Sequence, residues 1–108
     1  MTDELSGTLR ERVAIETWVE ARDDAGDTAG YWRAAGSAFA AIVPDGGGGV
    51  EGGVRRSRRR WRVTLRAPSA VRLTSRLIWQ GQYLAVLAVE SDQRRPEQLV
   101  LRCEAREA

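Results

Sequence analysis

The stretch SRLIWQGQYLAVLAVE, residues 75–90, decides the fold. Two apolar runs flank Gln80-Gly81, and glycine supplies the positive φ that a tight turn needs, so the stretch reads as a β-hairpin. Its second arm is apolar on both faces: Tyr83, Ala85, Leu87 and Val89 on one, Leu84, Val86 and Ala88 on the other. A strand apolar on both sides requires a cover, from within the fold or from another subunit.

Working outward, SDQRRPEQ (91–98) reads as a turn region, and LVLRCEA (99–105) as a strand with Leu99, Leu101 and Cys103 on one face. Upstream, SAVRLTS (69–75) is a short connection with room for one helical turn. In RRRWRVTLRAP (58–68), Trp61, Val63 and Leu65 alternate with Arg60, Arg62, Thr64 and Arg66, which gives a strand with a core face and an arginine-coated face, closed by Pro68. DGGGGVEGGV before it cannot hold regular structure cheaply, because each glycine loses more backbone freedom on ordering than other residues do. Residues 45–57 are therefore expected as a long mobile loop hinged on Gly46, Gly47, Gly48, Gly49, Gly52 and Gly53.

Nearer the N-terminus, FAAIV predicts a strand over about 38–43, ended by Pro44, with an irregular segment before it containing Gly30 and Gly36. RVAIETWVEAR (12–22) alternates, with Val13, Ile15, Thr17 and Val19 on one face and Ala14, Glu16, Trp18 and Glu20 on the other. DDAGD (23–27) suits a turn, and residues 1–11 form a polar lead-in. The sum is an all-β chain of five or six short antiparallel strands with one large insertion. Closing such a sheet into a small barrel removes exposed edges and encloses one core. One domain over residues 1–108 is expected, with at most one short helix.

The chain of 108 residues is 43% hydrophobic and 30% charged, which suits a globular protein. No apolar run reaches the length of a membrane span and the N-terminus carries no apolar signal core, so no membrane association is expected, and an intracellular product is. The net charge is only +2, yet the seven arginines from Arg55 to Arg66 carry +7 and leave −5 on the remainder. A mildly acidic body thus bears one basic segment. All 17 basic residues are arginine, a usage that suggests a GC-rich genome.

Catalytic chemistry is poorly supplied. The chain has no histidine, and so lacks the usual acid–base group near neutral pH. Its single Cys103 sits in an apolar alternation and reads as a small buried hydrophobe. DDAGD lacks the spacing and downstream glutamate of a calcium loop, and DGGGG lacks the lysine of a phosphate loop. No cofactor or metal is expected. What remains is Arg55, Arg56, Arg58, Arg59 and Arg60, which suit bidentate phosphate contact or an acidic protein partner equally. Trp61 could stack on a base, but it shares a face with Val63 and Leu65, which favours core packing.

The order of these features resembles the phage head-tail adaptor, or head-closure (stopper), family. The carriers are LRERVAIETW, then Trp32, then FAAIVP with Phe39 and Pro44, a long variable loop, RVTLR, the hairpin LIWQGQYLAV, and LVLRC, spanning roughly residues 8–105. The sequence departs from the family at position 67, often aromatic there and Ala67 here. The resemblance implies a small β-barrel acting as a non-enzymatic connector subunit of a tailed phage or gene transfer agent. Such a subunit is monomeric alone and forms a ring below the portal and adaptor proteins. The ring retains packaged DNA and docks the tail through a tail-terminator protein. The implied place is the head-tail junction of a particle assembled in the bacterial cytoplasm. The alternative is a small β-barrel that binds nucleic acid directly through Arg55–Arg60.

Overall fold

The computed structural model describes residues 9–22, 24–45 and 59–106. It contains six strands: β1 (Glu11–Arg22), β2 (Thr28–Pro44), β3 (Arg60–Arg66), β4 (Ser75–Trp79), β5 (Gln82–Asp92) and β6 (Arg95–Arg106). Every neighbouring pair is antiparallel, and the order β1-β2-β3-β6-β5-β4 closes as β4 returns to β1. Closure satisfies backbone groups that an open sheet would leave at its two edges. Among the described residues no helix is long and apolar enough to cross a membrane.

The hairpin of residues 75–90 forms as expected. Trp79 pairs with Gln82, and Gln80 and Gly81 both take positive φ, +52° and +78°. Two successive left-handed residues match the twist of the flanking strands.

The interior is one apolar cluster. Val13 and Ile15 (β1), Val63 and Leu65 (β3), Leu77 (β4), Leu84 (β5), and Leu101 and Cys103 (β6) are essentially excluded from solvent. These are the inward positions of the period-two patterns. Leu9 and Val71 are buried from outside the strands. Trp61 is half-buried against the cluster, edge-to-face with Trp79 at 5.0 Å between ring centres. The Trp79 Nε1 donates to Glu11 Oε1 at 3.0 Å.

Three segments differ from expectation. The stretch before residue 38, expected to be irregular, is part of a 17-residue β2. Its glycines serve the strand instead of breaking it. Ile15 pairs with Gly36 and Glu16 with Ala34, so Ala35 is the extra residue of a β-bulge, with Gly36 at φ +125°. Gly30 lies against the Trp18 indole, where any Cβ would overlap the ring.

The second difference is β6, which begins at Arg95. Only Gln93 and Arg94 form the turn, and the Arg94 amide donates to Asp92 Oδ1 at 2.8 Å. The β5–β6 register passes from Glu90↔Val100 to Asp92↔Arg95, so Pro96 falls where the ladder has lapsed and its missing N–H costs no bond on that side. Third, the connection at 69–75 contains no helix. Side-chain hydroxyls hold it instead. The Val71 amide donates to Ser69 Oγ at 3.2 Å and the Arg72 amide to Ser75 Oγ at 2.9 Å, while the Ser75 amide donates to the Arg72 carbonyl at 2.9 Å.

Candidate nucleic-acid and partner interface

The antiparallel alternation puts the ends of β2 and β6 and the starts of β1 and β3 at one end of the barrel, with the 80–81 turn. The opposite end carries the β1–β2 and β5–β6 turns and the 67–74 connection. The inserted segment therefore leaves from the end where the chain enters and exits. Its two flanks are tied together: the Asp45 amide donates to the Arg60 carbonyl at 2.9 Å, and Pro44 pairs with Trp61.

Of the arginines expected at the site, Arg55, Arg56 and Arg58 lie outside the described residues, as do Gly46, Gly47, Gly48, Gly49, Gly52 and Gly53. Arg59 and Arg60 are described. Arg59 precedes β3, its carbonyl accepting from the Ala105 amide at 2.9 Å and its guanidinium standing 5.9 Å from the centre of the Trp61 ring. Arg60 opens β3 on the outer face, opposite Glu104.

Several arginines near the β3–β6 seam are engaged by carboxylates of the fold itself. Glu104 is buried beneath its neighbours and ion-paired with both Arg60 (3.5 Å) and Arg106 (3.2 Å). Arg102 donates to Glu90 (3.1 Å) and Asp45 (3.2 Å), contacts that raise its already high pKa, the Glu90 hydrogen bond most of all. The charge concentration visible in the sequence therefore overstates what the barrel wall offers to phosphates. Trp61 packs edge-to-face with Trp79 against the core, Arg59 stands over its ring, and its Nε1 is buried with no hydrogen-bond partner among the described residues. A ring packed this way is a poor platform for a stacked base.

The structure also shows an aromatic cluster that sequence reasoning missed. Arg76 points outward from β4, its guanidinium 4.1 Å from the centre of the Trp32 ring and 4.0 Å from that of Tyr83. Its Nε and Nη2 both donate to Glu16 Oε1, at 2.8 and 2.7 Å. Trp18 meets Trp32 edge-to-face at 5.3 Å between centres. These residues border a surface groove of about 480 Å³ also lined by Leu73 and Ala85. The available signal was a tryptophan on the polar face of β1, where the alternation calls for a solvated side chain.

Cys103 faces the core, and burial pushes its thiol up to about 12. Among the described residues no group of acidic or cysteine side chains is arranged to hold a metal ion.

The model of the phage head completion protein family matches residues 5–106. The chain belongs to that family. Membership gives it a structural role at the phage head and a place in a phage or phage-like particle. The fold is shared with a chain of the virion of a native gene transfer agent particle, at TM-score 0.69 and 22% identity, covering 93% of this chain and 97% of that one. It is also shared with protein SF1141 from Shigella flexneri 2a, in a solution structure, at TM-score 0.72 and 20% identity, covering 97% and 96%. No curated protein matches the chain.

Proposed function

We propose that this head completion protein is a non-enzymatic connector subunit of a tailed phage or gene transfer agent. It forms a ring below the portal and adaptor proteins, retains packaged DNA, and docks the tail through a tail-terminator protein. The observation that carries the reading is the family match across nearly the whole chain. The closed barrel supports it, because a sheet without free edges associates through its outer faces and inserted segments. Arg55, Arg56, Arg58 and Arg59 are the arginines proposed to meet DNA in the channel or a neighbouring ring, with Arg60 secondary because Glu104 already engages it.

The test is assembly. The purified chain is mixed with portal–adaptor complexes, and particles are examined for its presence. Binding to the complex and recovery in particles are expected. Failure of both overturns the reading. Direct nucleic-acid binding by the free chain, steeply weakened by salt, would favour the alternative.

A further inference from the structure

The β1–β2 hairpin reaches beyond the barrel that holds it. β1 pairs with β4 only through Thr17, and β2 pairs with β3 only from Ala40 onward. The Trp18 amide donates to the Thr74 carbonyl at 3.0 Å and anchors the base. Among the described residues from Val19 to Tyr31 the ribbon pairs only with itself. A two-stranded ribbon is marginal alone in water. This one exposes Trp18, Trp32 and Tyr31, the last 52% exposed. Large aromatic side chains on a projecting arm indicate a surface that another molecule covers.

The arm is acidic. Residues 18–33 hold Glu20, Asp23, Asp24 and Asp27 against Arg22 and Arg33, a net −2. The outer face of β2 and β3 has the complementary character. Phe39 and Val43 are 53% and 42% exposed there. Arg62 projects beside Val43, and Arg12 leans over Phe39 with its guanidinium 5.4 Å from the ring centre. No carboxylate occurs in residues 37–44 or 60–66.

We propose that the arm of one copy docks on the β2–β3 wall of the next copy, head to tail. The inference rests on the proposed connector role, in which copies of the chain stand side by side. The two surfaces differ, so the contact is heterologous: each copy gives its arm and receives one, and the contact propagates around a ring. Apolar contact of Tyr31, which with Val19 lies on the face of the arm opposite the Trp18–Trp32 pair, with Phe39 and Val43 supplies the adhesion. Arg12 and Arg62 against the arm's carboxylates set the register.

The experiment places cysteines beside both contacts and leaves the adhesive side chains in place, Ala29→Cys on the arm and Ala41→Cys on the wall in one chain, and treats it with a short bismaleimide. Along β2 these positions are about 40 Å apart, at roughly 3.3 Å per residue, too far for the reagent to bridge within a copy. Circular dichroism checks that the variant folds. A ladder of covalent oligomers is expected, from concentrated purified chain or from particles. Either chain carrying just one of the added cysteines should give none, the native Cys103 being buried, and adding Arg12→Glu with Arg62→Glu should abolish the ladder. Monomers alone from both sources overturn the proposal, dimers from a chain with one added cysteine replace it with a two-fold contact, and a ladder indifferent to charge reversal overturns the charge match. Presence in particles without the ladder refutes this contact and leaves the connector role standing. A ladder from purified chain that never enters particles does the reverse.

Discussion

Arg60 Nε stands 3.5 Å from Glu104 Oε2, across the β3–β6 ladder, and Glu104 is almost wholly covered. A carboxylate at that depth is held by the cations around it, here Arg60 and Arg106. Glu104→Ala leaves two guanidinium groups adjacent with no shared anion. Both guanidinium groups are half exposed and water solvates them once the carboxylate is gone, so a loss of about 1 kcal/mol or less is expected, as for partly exposed ion pairs. Urea unfolding measures it, and an unchanged midpoint would show that the pair contributes nothing.

Cys103 gives a pH prediction. Burial raises its folded pKa to about 12, while a free thiol titrates near 8.5. Between those values the folded state keeps a proton that the unfolded state has released. Stability from this group is therefore fully present below about pH 8.5 and falls as pH rises towards 12. The thiol should resist alkylation at pH 8.5 in native buffer and react promptly in urea, as thiol-labelling rates will show.

Gly30 and Trp18 share the arm's outer surface so closely that no Cβ fits between them. Gly30→Ala must displace the indole and with it the contact to Trp32. The expected cost is about 1–2 kcal/mol, a mixture of overpacking and lost aromatic contact. Tryptophan fluorescence should shift red as the ring moves into water. A stable variant with unshifted emission would mean that the backbone yields instead.

The alternation of Val13, Ile15, Val63, Leu65, Leu101 and Cys103 was legible because each strand has one buried face, and a period of two is then compulsory. The 75–90 hairpin was legible from one dipeptide. Residues 28–37 were not, because Gly30 and Gly36 carry the composition of a break. Their role as a bulge and a packing surface depends on Ile15 and Trp18, strand partners that local sequence does not name. The pairing of Arg60 was hidden for a similar reason. Glu104 lies 44 positions beyond Arg60, and only the ladder brings them together. The doubly apolar β5 divides in the structure: Leu84 and Val86 enter the core, whereas Leu87, at a register shift, remains 40% exposed.

The segment between Asp45 and Arg60 yields the prediction closest to function. Both flanking residues are occupied by the barrel: Asp45 accepts from Arg102, and Arg60 pairs with Glu104. Replacing Arg55, Arg56, Arg58 and Arg59 with serine removes four positive charges while leaving those pairs intact. Unfolding free energy should stay within about 0.5 kcal/mol of the parent chain, as for surface changes away from the core. If these arginines hold DNA, particles should still assemble but lose packaged DNA, measured as the nuclease-sensitive fraction, and the loss should grow with salt in the parent particles too because phosphate contacts are screened. If they instead meet an acidic neighbour, DNA retention should be unchanged in completed particles and incorporation of the chain should fall. Leaving Arg60 in place separates these outcomes from mere damage to the Glu104 pair.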